Sequence, residues 1–474
     1  KEQIVYRTSP TNIGLGLLAV VASYDLGFEN LKDTLNLLSK MIDTISKLQK
    51  WNGHLYNWYD IQTLKPLLPK YVSTVDSGNF VGYLYTLKQF LKDVQSGESA
   101  GEELKQTANE RETNKIEETV NETDTENMKE EKRNNRSEND KENVEIKKEK
   151  IEEKLKNHNK EDIKERMLNK EILEKINIML QIIDNTIDNT DFSYLYSEEN
   201  RIFSIGFNVE DNALTSSYYD LLASEARQAS LVAIAKKDVP AKHWYNLSRT
   251  LTILNKYKGL ISWSGTAFEY LMPNINIPKY PGSIINESSI FAIMSQQEYA
   301  KKLGIPWGIS EAAFNLRDLN NNYQYKAFGV PWLGLKRGLA DEMVVSSYGT
   351  ILAINDYPIE TIQNLKLLEK DGMYDKYGFY ESIDYTPSRL KKGEKSAVVK
   401  TYMAHHQGLI LLSIDNLFNK NILQKRFMQN PEMQSVEILL EEKMPANVII
   451  TKEQKEKVEK VKNVDYETYA VREY

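Results

Sequence analysis

The chain contains no cysteine, which removes disulfides, thiolate metal ligands and cysteine nucleophiles at once. Histidine is nearly as scarce. Five occur in 474 residues, two of them adjacent at His405 and His406, too few for a multi-histidine metal centre, so no metal or other cofactor is expected. No apolar run approaches the roughly 18 residues of a membrane span, and no signal peptide opens the sequence. Because it starts at Lys1, we expect a soluble piece of something longer, without membrane insertion of its own. A phosphate-binding glycine loop, a G-x-S-x-G elbow and an H-E-x-x-H helix are all missing. Acidic residues outnumber basic ones by 68 to 61, which argues against nucleic acid as a partner held by phosphate contacts.

Absences also mark one segment. No aromatic residue falls between Phe90 and Phe192, no glycine between Gly101 and Gly206, and no proline between Pro69 and Pro240. From 98 to 170 the chain has 22 acidic and 17 basic residues, so this stretch supplies most of the net charge of −7. Such a composition buries too little apolar surface to offset the entropy of ordering. We expect residues 97–166 to be an inserted, disordered or solvated-helical segment. Residues 1–96 and 167–450 then make one folded domain, and the Lys/Glu-rich residues 451–474 a linker-like tail.

The remainder carries helical periodicity. Leu31, Leu35, Leu38, Ile42, Ile45 and Leu48 alternate steps of four and three, and Phe80, Leu84, Leu87, Leu91 and Val94 do the same. A helix resumes at Leu168 through Ile172, Ile176, Met179, Ile183 and Ile187. Further helices are predicted over 14–24, 217–236, 241–256, 288–303, 340–353, 359–370, 397–416 and 434–442. Strand patterns are short, over 260–264 and 379–385. About ten helices with long aromatic, glycine-containing connections fit an all-α toroid of helix pairs, whose connections at one end line a cleft.

Four connections concentrate aromatic side chains beside Asn, Asp, Gln and Gly. They run from Trp51 through Tyr56 and Trp58 to Asp76 and Asn79; across 261–273 with Trp263 and Tyr270; from Trp307 through Asn315, Tyr323 and Tyr325 to Trp332; and across 402–409 with His405, His406 and Gln407. Flat rings stack on pyranose C–H groups and fixed polar groups bind hydroxyls, so the pattern fits a carbohydrate cleft. Core packing is the alternative for any single ring.

Cleaving a glycosidic bond calls for two carboxyls. Glu225 shares a helical face with Leu221, Leu222, Ala229 and Val232. Burial there would raise its pKa toward that of a proton donor, unless Arg227 or another cation pairs with it. Glu311 follows Trp307-Gly308 at an expected loop-to-helix junction, where the helix N-terminus would favour its anion, although helix capping explains it equally well. Glu269 is a third candidate. Asp76 is a fourth, better suited to a turn or a sugar hydroxyl. Of the two histidines, about 100° apart on a helix, one is read as a site hydrogen-bonder and the other as packing.

Seven strings occur in order: R-T-S-P-T-N-I-G-L from Arg7, G-H-L-Y-N-W-Y-D from Gly53, Y-V-S-T-V-D-S-G-N from Tyr71, S-E-A-R from Ser224, G-T-A-F-E-Y-L-M-P from Gly265, P-W-G-I-S-E-A from Pro306 and Y-M-A-H-H-Q-G from Tyr402. Together they resemble the glycoamylase-like middle domain of cyclic β-1,2-glucan synthases, from Arg7 to about Leu440. The resemblance implies an (α/α)6 barrel that closes linear β-1,2-glucan into a ring by intramolecular, anomer-retaining transglycosylation. It further implies glycosyltransferase and phosphorylase-like domains in the same parent chain, on the cytoplasmic side of the inner membrane. Carried over by motif, Glu225 resembles the acid/base and Glu311 the nucleophile, with the exchanged assignment open; Glu269 becomes a substrate-binding or pKa-tuning neighbour. A retaining pair sits about 5–5.5 Å apart, an inverting pair roughly 6.5–9.5 Å. Trp263, Trp307, Trp332 and Tyr323 are candidates to shield the intermediate from water. Two other readings stay open: an endo-β-1,2-glucanase on the same barrel, and a non-catalytic glucan-binding module.

Overall fold

The computed structural model describes residues 4–97, 170–254 and 257–445. The expected insert beyond Gly97 and the expected tail lie outside these residues. Two compact units divide the chain, Lys1–Gln89 with Ile182–Tyr474, and Phe90–Gln181. In the second, Gln95 Nε2 donates to Asn177 Oδ1 at 2.8 Å. All that follows concerns the first.

Helices dominate. In chain order they are α1 (Pro10–Asp25), α2 (Leu31–Lys47), α3 (Thr74–Ser96), α4 (residues 170–189), α5 (Ala226–Ala235), α6 (Lys242–Asn246) and α7 (Ala267–Leu271). After these come α8 (Ile284–Leu303), α9 (Ser347–Ile351), α10 (Pro358–Lys370), α11 (Ala404–Phe418), α12 (Ile422–Met428) and α13 (Pro431–Gln434). Local sequence explains several starts. Ser9 caps α1 by accepting the Asn12 N–H at 3.2 Å, ahead of Pro10 in the first turn. Asn30 caps α2 through Asp33, and Ser283 caps α8 through Asn286.

Burial sorts the helices into inner and outer walls. All ten residues of α5 are buried, as is the run 77–87 of α3, which is how a helix enclosed on every side reads. Helix α2 buries one stripe, Thr34, Leu35, Leu38, Ile42 and Ile45, and α10 only Thr361, Asn364 and Leu368. Helix α1 packs on α2 and on the distant α11, while α13 returns to α5, so contacts close on themselves around a ring. The fold is the expected helical toroid with few short strands. At the wall where α3 meets α5, a Cβ on Gly78 would stand 2.3 Å from the Ala229 Cβ, so only glycine permits the approach.

Strands gather in the connections. Ser382–Asp384 lies between Val344–Ser346 and Ala397–Val399, and Ala312–Arg317 pairs antiparallel with Tyr323–Lys326. Several predicted helices are shorter for this reason. The β-branched runs Thr252-Ile253, Val344-Val345 and Val398-Val399 pair as strands, trimming 241–256, 340–353 and 397–416 to Lys242–Asn246, Ser347–Ile351 and Ala404–Phe418. The predicted helix 217–236 begins only at Ala226, because Ser224 sits at φ 52°, in the left-handed region. The last pattern, 434–442, splits into α13 and a 3-10 turn, Glu437–Glu441. Among the described residues, no helix is long and apolar enough to cross a membrane.

Candidate active site

Glu225 is the N-cap residue of α5 rather than a residue within a helix, as the sequence pattern had implied. It is 6% exposed, and its carboxyl accepts from Asn79 Nδ2 at 2.9 Å and from the Ser224 hydroxyl. Asn79, wholly buried on α3, also donates to Thr11 Oγ1 at 3.1 Å and accepts from Gln228 Nε2 at 3.2 Å. Thr11 in turn donates its hydroxyl to Asp76 Oδ1 at 2.7 Å. Burial raises the Glu225 pKa to about 7, with the Asp76 charge adding to the shift and the two donors opposing it.

Glu311 opens a strand, Ala312–Arg317, so no helix N-terminus stabilises its anion and that expectation is corrected. Its segment is fixed by side-chain amides that imitate a backbone partner. Asn364 bonds both the N–H and the C=O of Trp307, at 3.0 and 2.7 Å; Gln296 does the same for Ile309, both at 2.8 Å. Gly308, at φ 117°, admits the turn; a Cβ there would meet Thr350 Oγ1 at 2.4 Å. The Glu311 carboxyl accepts from the Tyr325 hydroxyl at 3.0 Å. Its pKa is raised to about 8 by desolvation first, then by the charges of Glu225 and Glu269, while Tyr325 and Lys336 pull it down.

The two carboxyls therefore share one electrostatic site, and near neutrality the pair holds one proton. Glu225 faces Asp76, which disfavours its anion; Glu311 faces a phenol donor and Lys336, which favour it. Once the proton is on Glu225, the repulsion that raises Glu311 is gone. These surroundings favour a protonated Glu225 beside an ionised Glu311, although the isolated value for Glu311 is the higher.

Glu269 is a scaffold under both. It is 2% exposed and forms a capping box with Thr266. Its carboxylate accepts the Ser264 N–H at 3.0 Å to each oxygen and the Ser262 hydroxyl at 2.8 Å, and lies 3.5 Å from the Ser224 N–H beside Glu225. Arg227 does not pair with Glu225. Its guanidinium binds the carbonyls of Glu269 and Tyr270, at 2.7 and 2.8 Å, and Asn274 Oδ1 at 2.9 Å.

The remaining candidates divide by exposure. Trp332 is wholly buried against Tyr299, with ring centroids 5.3 Å apart, and Tyr270 sends its hydroxyl to the Leu260 and Leu333 carbonyls, so both are core residues. Trp307 is 8% exposed, whereas Trp263 is 58% exposed, and its N–H bonds the Leu222 carbonyl just before the Glu225 turn. Tyr323 is half-buried and accepts from Arg317 at 2.6 Å. Trp58 lies under the Arg7 guanidinium, 4.6 Å from the ring centre, and Tyr56 is 3% exposed. Asn315 donates to the Arg389 carbonyl, and Gln407 reaches the Phe379 carbonyl at 3.5 Å. His406 is buried in the first turn of α11, with its ring 3.9 Å from that of His405.

Three neighbours went unselected in the sequence. Tyr219 is close enough to Glu225, Asp76 and Glu311 for their charges to raise its pKa. Tyr348, on α9, donates to the Glu311 carbonyl at 2.7 Å. Glu381, wholly buried, faces His406 Nδ1 at 2.8 Å. The alternating pattern around 379–385 marks Glu381 as a strand residue, and nothing local distinguishes its carboxyl.

A helical toroid with a buried carboxyl pair among aromatic connections is the frame of a glycoside-processing domain. Residues 217–431 match the Glycoamylase family model, described as "Putative glucoamylase". The chain is 34% identical, over 93% of its length, to the cyclic β-(1,2)-glucan synthase NdvB of Rhizobium meliloti strain 1021, and spans 17% of that relative's length. Among solved structures it is similar to an endo-β-1,2-glucanase from Chitinophaga pinensis, with a TM-score of 0.61 at 14% identity, covering 92% of this chain and 88% of that one. It is also similar to a β-1,2-glucanase from Parabacteroides distasonis, with a TM-score of 0.62 at 13% identity, covering 92% and 55%. The chain thus carries a Glycoamylase domain within a fold shared with β-1,2-glucanases. Along nearly its whole length it is similar to one segment of a cyclic β-1,2-glucan synthase.

Proposed function

We propose that this chain closes linear β-1,2-glucan into rings by anomer-retaining transglycosylation, as the cyclization domain of a longer membrane-bound enzyme. Its partners are the glycosyltransferase and phosphorylase-like domains of that parent, working at the cytoplasmic face of the inner membrane. Glu311 attacks C1 of a glucosyl unit while Glu225 protonates the departing O2, breaking the C1–O2 bond and forming a glycosyl ester. The 2-hydroxyl at the chain's own far end then attacks C1, returns a proton to Glu225 and releases the Glu311 carboxylate. The supporting observation is the electrostatically coupled pair, one carboxyl beside Asp76 and the other beside a phenol donor and a lysine.

The test is mass spectrometry of linear β-1,2-glucan after incubation, with reducing ends counted alongside. Products one water lighter than linear chains, with no new reducing ends, are expected. New reducing ends on linear masses would make the protein an endo-β-1,2-glucanase, and untouched substrate a binding module. Glu225→Gln and Glu311→Gln should each lower turnover by roughly a thousandfold or more while glucan still binds.

A further inference from the structure

Behind Glu311 lies a line of side chains that ring closure as written above does not use. Tyr325, on the strand Tyr323–Lys326, sets its hydroxyl 3.0 Å from Glu311 Oε2 and 3.5 Å from His406 Nε2. His406 is clamped twice. The ring of Tyr348 stacks on it at 3.7 Å and 17°, and its Nδ1 meets Glu381 Oε1 and Oε2 at 2.8 and 2.9 Å. Glu381 stands just before the strand Ser382–Asp384, and its Oε1 also accepts the Ala313 N–H at 3.3 Å, next to Glu311's own strand. Glu381 and His406 are both 1% exposed.

The tautomer follows from these contacts. Burial holds His406 neutral, with His405 as its nearest ring neighbour. An ionised Glu381 accepts the proton of Nδ1, so Nε2 presents a lone pair toward Tyr325. One phenol hydrogen then has two acceptors. While Glu311 is an anion, it takes that hydrogen; once its oxygen is esterified and uncharged, the hydrogen can turn to His406.

We propose that Glu381, His406 and Tyr325 form a hydrogen-bond relay that positions Glu311 and lets Tyr325 follow the charge on it through each half of the reaction. This rests on the reading of Glu311 as nucleophile. Glu381 and His406 are positioning residues, acting only through Tyr325. The other charged or titratable groups facing Glu311 are Glu225 at the start of α5, Glu269 on α7, Lys336 and Tyr348; those facing the dyad are His405 and Tyr348.

The test reads the ionisation of Glu311 in two ways, as the acid limb of kcat/KM and as a carboxyl titration by 13C NMR assigned with Glu311→Gln. Tyr325→Phe removes the donor and should move both upward by about half a pH unit or more. In Glu381→Gln the carbonyl stays on the Ala313 N–H, and the amide then donates to Nδ1. Nε2 becomes the protonated nitrogen and leaves the phenol hydrogen to Glu311, so both readings should move downward by a similar amount. The double variant should titrate as Tyr325→Phe does, and Glu381→Asp as wild type. A Glu381→Gln titration at the wild-type position, or a shift that persists beside Tyr325→Phe, would overturn the relay. If Glu381→Gln fails to fold, His406→Asn, too short to reach Tyr325, should give the same downward shift and is judged the same way. Wild-type protein that neither cyclises nor cleaves glucan would sink the proposed function; the NMR titration would still decide the relay.

Discussion

Gln296 shows how much a single buried side chain contributes to this site. Its amide satisfies both the N–H and the C=O of Ile309, two residues before Glu311, where no strand partner is available to bond them. Replacing it by leucine keeps the volume and leaves two buried backbone groups unpaired. We expect Gln296→Leu to destabilise the fold by about 2–4 kcal/mol. Turnover should fall further than KM changes, because the substrate's contacts remain while the nucleophile loses its footing. Chemical denaturation and steady-state kinetics on one preparation check both. The sequence exposed the acidic residues at this scale but not their company. Arg227 sits two residues from Glu225 and was a natural partner for it, yet its guanidinium spans to α7; chain proximity says little about where a long side chain ends.

Elements carry the second layer. The segment from Trp307 to Ser310 threads between α8 and α10 by side-chain amides, and its turn exists only because Gly308 lacks a Cβ at φ 117°. Gly308→Ala should therefore lower the thermal midpoint and turnover together, since strain and the clash with Thr350 act on the strand that presents Glu311. A variant as stable and as fast as wild type would show that this turn is dispensable. Helices enclosed by the fold were legible from periodicity alone, as in α2 and α3, because apolar spacing and burial share one cause. Helix ends were less so. Val344-Val345 and Val398-Val399 fit a helical pattern until Ser382–Asp384 arrives between them, and that pairing joins residues about forty positions apart. Glu381 stayed hidden for the same reason, with its histidine 25 residues onward.

For the molecule as a whole, buried ionisable groups set how stability varies with pH. Glu225, Glu311 and Glu381 have folded pKa values of about 7, 8 and 7 against an ordinary 4.5. The folded state therefore holds protons that the unfolded state has released, and stability falls as pH rises toward these values. His54, His243 and His405 work the other way, with folded values of about 4, 4 and 3, so their contribution is lost as pH drops below their ordinary 6.5. Above about pH 6.5 the carboxyls alone titrate. The thermal midpoint should decline from there to about pH 8.5, and the stabilising effect of Glu311→Gln should be larger at the upper end than near pH 5. An offset independent of pH would refute this. One close contact on the inner wall then acquires a wider meaning. Gly78 against Ala229 fixes the spacing of two helices, with Asn79 one residue along the first and Glu225 one turn before Ala229 on the second. The width of a missing methyl group serves as the gauge for the hydrogen bond on the proton donor. Bulk added there would widen the aperture of the ring and slacken its acid in a single step.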